Sequence, residues 1–202
     1  METLPLEGEY LMTPAEALRK QEQALQGCRA CRLCEGRTNV VFGSGSATAE
    51  FVVIGEGPGA DEDAQGLPFV GRAGQLLTKM LAAIDFRRED VYITNAVLCR
   101  PPGNRNPEAD ELAACAPFLA DRLGVIQPQV ILTLGSVATQ SLLRTKEAIG
   151  RLRGRVQSYG EAVLIPTFHP AFLLRNPGPE YKRMAWEDLK LARREYDARR
   201  TR

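Results

Sequence analysis

Cysteine is concentrated in one short segment, where its spacing suits metal binding. Cys28, Cys31 and Cys34 lie within seven residues, whereas Cys99 and Cys115 are far along the chain. An odd number of cysteines argues against a disulfide framework, and a CxxC pair that follows a predicted helix favours a metal site over a redox pair. Dispersed thiolates with no neighbouring histidine favour an iron–sulfur cluster over zinc. Ordinary buried thiols at Cys99 and Cys115 remain the alternative.

Four short apolar runs end in polar or glycine-rich motifs. The runs predict buried parallel strands, at 51–57, 90–97, 129–135 and 162–170. Glu56 and Gly57 belong to the first strand end, Asn95 to the second and His169 to the fourth. Because the carboxyl ends of parallel strands meet at one edge of a sheet, we expect these residues around a single ligand site.

Helical patterns lie before, between and after the predicted strands. They cover residues 14–26, 73–85, 107–124, 136–143 and 179–200. Alternation of strands and helices predicts right-handed crossovers and a parallel sheet with helices on both faces. The expected architecture is therefore a three-layer α/β fold, with residues 1–202 forming one domain.

The first strand end, GEGPGA at 55–60, has two interpretations. Its letters match the G-x-G-x-x-A pattern of dinucleotide-binding loops. Pro58, however, removes a backbone N–H that a phosphate would need, and the second strand ends in Asn95 rather than in an acid. The alternative is a loop that brings a ligand close to bare backbone and also carries carboxylates, such as Glu56 and Glu62.

Three further side chains suit recognition of a planar base, and each also has a structural interpretation. Phe69, among glycines, can stack on a planar ligand or fill the core. Asn95 can read a pyrimidine edge that carries an N–H and a carbonyl, or it can satisfy a turn. His169, the only histidine, can donate a hydrogen bond to a developing oxyanion, or it can be structural.

Basic and apolar residues near the strand ends suit a nucleic-acid partner. Phosphate contacts are predicted for the basic loops around Arg100, Arg105, Arg153 and Arg175. Leu173, in an apolar run after His169, could wedge into a base stack if it lies on a loop, whereas helix packing is the alternative. On charge alone, solvated helix surfaces are the favoured explanation of the basic segments.

Composition excludes several classes of protein. The 202 residues are 44% hydrophobic and 25% charged, with a formal net charge of +1, so a disordered chain, a collagen or a coiled-coil rod is ruled out. No apolar run is long enough for a membrane span. The acidic first twenty residues do not read as a secretory signal, and we therefore expect a cytoplasmic protein.

In combination, these motifs resemble the family-4 uracil-DNA glycosylases, the iron–sulfur branch found in bacteria and archaea. The resemblance runs from about Cys28 to Trp186, most of the chain. It rests on the segments CRACRLCEGR, VFGSG, GEGPGADEDAQGLPFVGRAGQLL, VYITNAVLCRPPGNRNP, LGSVA and FHPAFLLRNP. The implied activity is excision of uracil from double- or single-stranded DNA.

The resemblance also implies a fold and a set of site residues. It implies four parallel strands in the order 2-1-3-4, and a [4Fe–4S] cluster whose ligands are Cys28, Cys31, Cys99 and Cys115, with Cys34 outside the set. By position, Phe69 matches the residue that stacks on uracil, Asn95 the base reader and His169 the residue that supports uracil O2. Glu56 and Gly57 match the loop that faces the sugar and the attacking water, and Glu62 matches the second acid of the motif.

Two other functions remain open beside monofunctional excision. One is covalent trapping of uracil-DNA, which a related branch performs through a histidine in an inserted basic loop. This chain runs from PFVGRAGQLL directly into its helix without such a histidine. The other is a non-catalytic iron–sulfur module that binds DNA. We expect a monomer, and other repair proteins stay open as partners.

Overall fold

A mixed six-stranded sheet forms the centre of the computed structural model, which describes residues 12–201. The strands are β1 Ser44–Gly45, β2 Phe51–Gly55, β3 Tyr92–Asn95, β4 Val130–Leu134, β5 Gln157–Tyr159 and β6 Ala162–Thr167. Their order is β1-β3-β2-β4-β6-β5. The four central strands are parallel, in the expected order, whereas β1 and β5 are antiparallel edges. The prediction of four strands was therefore wrong in number.

Eight helices connect or flank the strands in the described part of the chain. They are α1 Pro14–Leu25, α2 Ala60–Gln65, α3 Arg72–Ala82, α4 Ala109–Ile126, α5 Gly135–Leu143, α6 Ile149–Leu152, α7 Pro170–Arg175 and α8 Pro179–Arg200. Five of them match the predicted helices within a few residues. The short helices α2, α6 and α7 were not predicted. No helix within 12–201 combines the length and the apolar character that a bilayer crossing requires.

Two hydrophobic clusters lie on opposite faces of the sheet. On β2, Val52 and Ile54 pack with residues of α1 and α4, whereas Phe51 and Val53 pack with residues of α3 and α8. All four side chains are essentially inaccessible to solvent. Because successive residues of a strand point to opposite faces and both faces are covered, the strand reads as an uninterrupted apolar run. Because helices cover both faces of the sheet, a ligand can reach the sheet only where its strands end.

A buried ion pair contacts the end of β6, two residues before His169. Asp188 of α8 is fully buried and accepts a hydrogen bond of 2.8 Å from Oγ1 of Thr167, the last residue of β6. Arg153 donates to the same carboxylate at 2.6 and 2.9 Å. The Arg153 side chain is only 12% exposed. Its predicted role in binding phosphates is therefore replaced by a structural one, because its guanidinium is committed to Asp188.

We expect Arg153→Met to destabilise the protein by about 3 kcal/mol, because it leaves the buried Asp188 carboxylate without its cationic partner. The matched control is Arg155→Met, since Arg155 is solvent-exposed; it should change the free energy of unfolding by less than about 0.5 kcal/mol. Urea denaturation of both variants measures the effect. Equal stabilities would contradict the structural role of Arg153.

Candidate functional site

A pocket of about 320 Å³ opens at the carboxyl ends of the central strands, and we call it the strand-end pocket. It brings together residues from three of the four strand-end motifs and from the loop after β3. The lining residues are Glu56, Gly57, Pro58, Gly59, Glu62, Phe69, Ala73, Asn95, Pro101, Asn104, Arg105, Asn106, His169, Ala171 and Arg175. The expectation of a single site at this edge is therefore met, although Gly135 and Ser136 of the third strand end are not among the lining residues.

Asn95, the last residue of β3, presents a buried hydrogen-bond acceptor to this pocket. Its side chain is 1% exposed, and its Oδ1 atom accepts no hydrogen bond from the described residues. A buried acceptor without a donor costs about 1–3 kcal/mol. Gly55 on the neighbouring strand leaves the space that this oxygen occupies, since a Cβ there would lie 2.5 Å from Oδ1. The described residues therefore leave the accepting capacity of this oxygen unused.

Phe69 forms one wall of the pocket in a backbone conformation that few bulky residues adopt. Its φ angle is +54°, in the left-handed region, and its side chain is buried. Two glycines make room for it: a Cβ at Gly55 would lie 2.4 Å from the ring, and one at Gly74 would lie 1.8 Å from the Phe69 carbonyl oxygen. The ring centroid is 5.8 Å from that of His169. This placement suits a stacking surface for a planar ligand.

His169 follows β6 and is the residue that caps the N-terminus of α7. Its Nδ1 accepts a hydrogen bond of 3.1 Å from the backbone N–H of Ala171. Burial, with a smaller contribution from the cationic Arg175, lowers the pKa of His169 to about 4. The imidazole is therefore neutral at pH 7, and because Nδ1 is the acceptor, Nε2 carries the proton. The side chain is a neutral donor at the wall of the pocket.

Glu56 is the partly buried carboxylate of the pocket. Burial raises its pKa, while the positive charge of Arg175 acts in the opposite direction. Gly57 lines the pocket directly after it. A carboxylate with a raised pKa is a stronger acceptor for a water proton, so Glu56 has the chemistry needed to orient a nucleophilic water.

Glu62 has its carboxylate oxygens committed to backbone donors. One oxygen accepts hydrogen bonds of 2.9 Å from the N–H groups of Val70 and Gly71, and the other accepts one of 3.2 Å from Gly59. This carboxylate joins the loop after β2 to the loop that carries Phe69. These hydrogen bonds orient the Glu62 carboxylate at the pocket, and the catalytic role predicted for Glu62 stays a prediction.

Three of the predicted DNA contacts lie in or near the strand-end pocket. Arg105 and Arg175 line it, and Arg175 is exposed. The buried carboxylate of Glu111 accepts hydrogen bonds of 2.7 and 2.8 Å from Arg105. Arg100 is partly buried and donates to Asn104 at 2.7 Å. Arg175 thus keeps its charge available at the rim, whereas the orientation of Arg105 is fixed by Glu111.

The prediction that Leu173 is a DNA wedge was wrong. Its segment forms the helix α7 rather than a loop, and Leu173 is 4% exposed in the cluster that contains Ala185 and Leu189 of α8. Its neighbour Leu174 is 40% exposed. The helical turn directs one leucine to the core and the next to solvent, so any wedge from this segment would be Leu174.

A second, small cavity lies away from the strand-end pocket and is lined by four thiols, those of Cys28, Cys31, Cys99 and Cys115. Cys34 is not among its lining residues. Within residues 12–201, no group of three or more ligating side chains is gathered closely enough to hold a single metal ion. Four thiols that share one cavity form an all-sulfur donor set, which zinc and iron–sulfur clusters both accept.

Two cysteines of the thiol cavity are buried, and one of them accepts a hydrogen bond from an arginine. Burial raises the pKa of Cys115 to about 11 and also raises that of Cys99. The guanidinium of Arg37 donates to Sγ of Cys99 at 3.4 Å. Such a donor to a ligating sulfur is typical of the surroundings of metal-bound thiolates.

Comparison with known protein families shows which family this chain belongs to. A model of the uracil DNA glycosylase superfamily matches residues 42–190, which include every lining residue of the strand-end pocket. The chain belongs to the uracil-DNA glycosylase superfamily. The matched region also contains Cys99 and Cys115, whereas Cys28 and Cys31 precede it.

Individual relatives within the uracil-DNA glycosylase superfamily resemble the chain over most of its length. It is 44% identical over 185 residues to the type-4 uracil-DNA glycosylase of Thermotoga maritima, covering 91% of this chain and 96% of that protein. It is 44% identical over 170 residues to the type-4 enzyme of Archaeoglobus fulgidus, covering 80% and 85%. Its identity to the type-5 enzyme of Thermus thermophilus is 33% over 153 residues, covering 60% and 69%. The similarity is therefore greater to these type-4 enzymes.

Proposed function

We propose that this chain excises uracil from DNA by hydrolysing the N-glycosidic bond, and that it leaves an abasic site. The observation that carries the proposal is the Oδ1 atom of Asn95 at the strand-end pocket, which has no hydrogen-bond partner among residues 12–201. Uracil presents an N3–H donor to such an acceptor, whereas cytosine presents an unprotonated N3. The type-4 relatives, which are named uracil-DNA glycosylases, support the same substrate.

Each wall of the pocket has a task in this reaction. The flipped uracil stacks on Phe69, and its edge meets the Asn95 amide, with the oxygen toward N3 and the nitrogen toward O4. As the bond from C1′ to N1 breaks, its electron pair passes to the base, and the Nε2–H of His169 donates to the O2 atom that gains negative charge. A neutral His169 lacks the charge attraction that an imidazolium would offer to O2, but its orientation is fixed, because the Ala171 N–H donates to Nδ1.

Water completes the reaction at the sugar. Glu56 accepts a hydrogen bond from the attacking water, and the backbone of Gly57 faces the sugar beside it. The water oxygen forms the new bond to C1′ while its proton passes to Glu56 or to solvent. Lysine is absent from the described residues that line the pocket, so no Schiff-base lyase step follows. Arg100, Arg105 and Arg175 are proposed to contact the phosphates.

The thiol cavity is proposed to hold a [4Fe–4S] cluster through Cys28, Cys31, Cys99 and Cys115. When bound, the cluster supplies Fe–S bonds that join the segment after α1, the segment after β3 and α4, and glycosidic cleavage does not pass through it. The donor set, with four thiols around one cavity, supports this assignment. The single domain, the monomeric state and the cytoplasmic location stay predictions.

Asn95 variants test the proposed function directly. We expect Asn95→Ala to lose uracil release without gaining another substrate, because the base edge is left unpaired. Asn95→Asp should lose most uracil release and gain a small release of cytosine, because a suitably placed carboxyl oxygen can accept from N4–H₂. Two mispaired groups at about 1–3 kcal/mol each correspond to several powers of ten in discrimination.

The measurement is single-turnover base release from oligonucleotides that contain one uracil or one mismatched cytosine. Affinity for an abasic-site duplex serves as the control, since it should be nearly unchanged in both variants. Normal uracil excision by Asn95→Ala would contradict the base-reading role. Absence of any free uracil with the unmodified protein would favour a binding module that is not catalytic.

The acid limb of the pH–rate profile should belong to Glu56. Its carboxylate is lost as the pH falls through a pKa that burial has raised above 4.5, whereas His169 stays neutral down to about pH 4. Glu56→Gln should lower the rate at pH 8 by roughly a hundredfold and flatten this limb. An unchanged acid limb in the variant would assign it to another group.

Metal analysis of anaerobically purified protein tests the cluster. We expect a brown protein with inorganic sulfide and about four irons per chain. Cys115→Ser should lose the cluster and destabilise the fold, because metal binding is coupled to folding, whereas Cys34→Ser should be mild. Stoichiometric zinc without sulfide would overturn the assignment. So would loss of the cluster in Cys34→Ser together with its retention in Cys31→Ser.

A further inference from the structure

The residues before and after Phe69, whose backbone is strained, form hydrogen bonds with two charged side chains, Arg88 and Glu62. On its N-terminal side, the guanidinium of Arg88 donates to the carbonyl oxygen of Pro68. On its C-terminal side, the N–H groups of Val70 and Gly71 donate to Glu62. A left-handed conformation at a bulky residue costs about 1–3 kcal/mol and persists only where surrounding contacts enforce it. These contacts hold the residues on either side of Phe69 in place.

Arg88 is partly buried and forms hydrogen bonds with two other segments of the protein. It lies between α3 and β3, is partly buried, and places its second terminal nitrogen 3.4 Å from Oγ1 of Thr78 in α3. Burial lowers its pKa, and the negative charge of Glu62 opposes that effect. Arg88 is not among the residues that line the strand-end pocket, so it does not reach the base.

Arg87 offers a direct contrast at the adjacent position. Its side chain is 72% exposed and forms ion pairs with Glu89 and Asp90, which are also largely exposed. Exposed pairs of this kind contribute little to stability. Of the two adjacent arginines, Arg87 is therefore exposed to solvent, whereas Arg88 contacts the loop that carries Phe69.

We propose that Arg88 is a positioning residue for base recognition, and that it acts by fixing the Phe69 ring as a stacking surface. The inference rests on the proposed function, since the ring is assigned to uracil. Without Arg88, the Pro68 carbonyl loses its donor, and the loop can relax toward a conformation that turns the ring away from His169. Binding of the base should weaken, whereas binding of the phosphate backbone should not.

The test uses the full chain with its metal site intact and compares Arg88→Met with Arg87→Met. The first readout is inhibition by free uracil, which reports base binding alone, and the second is affinity for an abasic-site duplex, which lacks the base. Arg88→Met should raise the inhibition constant for uracil roughly tenfold, the scale of a lost aromatic stacking contact. Its affinity for abasic DNA should stay within about twofold, and Arg87→Met should change neither quantity.

A double-mutant cycle with Phe69→Ala distinguishes positioning from a general loss of structure. If Arg88 acts through the ring, Arg88→Met should slow single-turnover uracil release in the unmodified background and have no further effect when Phe69 is alanine. An equal effect in both backgrounds would overturn the proposal. So would a parallel loss of abasic-DNA affinity.

Arg88→Lys keeps the proposal testable if Arg88→Met does not fold. The lysine ammonium can still donate to the Pro68 carbonyl but lacks the guanidinium fork that spans Pro68 and Thr78, so this variant should weaken uracil inhibition by only about threefold. Uracil inhibition that is unchanged in Arg88→Lys would overturn the inference while leaving the proposed function intact. Failure of the unmodified chain to release uracil would overturn both.

Discussion

A carbonyl oxygen that is buried without a hydrogen-bond donor costs free energy that other contacts must offset, and among the described residues Asn95 places one at the end of β3. Solvent does not reach that atom, which belongs to a residue in the wall of the strand-end pocket. Gly55 on β2 has no side chain to fill the space, and the Phe69 ring covers the same position. The parallel pairing of β2 with β3 aligns Gly55 with Asn95 in register. The orientation of a recognising amide is thus set by the sheet itself.

The four central strands could be predicted because each one is marked in the sequence by a short apolar run. Strands buried on both faces read as continuous apolar runs, and the ends observed for β2, β3, β4 and β6 lie inside the predicted ranges. The edge strands were missed because they are two and three residues long and only partly buried. Helix α7 was missed because its six residues begin with a proline after a histidine, which resembles a turn as much as a helix start.

The site was predictable in its location and less so in its roles. Convergence of the strand ends follows from topology alone, which brought Glu56, Asn95 and His169 to one pocket. Whether a charged side chain acts on substrate or on the protein depends on which partners the fold brings to it. Arg153 is 35 residues from Asp188, and Glu62 is paired to a loop eight and nine residues on. Nothing in either local motif reports those partners.

The most direct test of this account compares inhibition by free uracil and by 3-methyluracil, which carries a methyl group in place of the N3 proton. If Oδ1 of Asn95 accepts from N3–H, the methylated base should inhibit roughly ten- to a hundredfold more weakly than uracil. That difference should disappear in Asn95→Ala. Equal inhibition of the unmodified protein by the two bases would contradict the account, because the buried acceptor would then have no part in recognising the base.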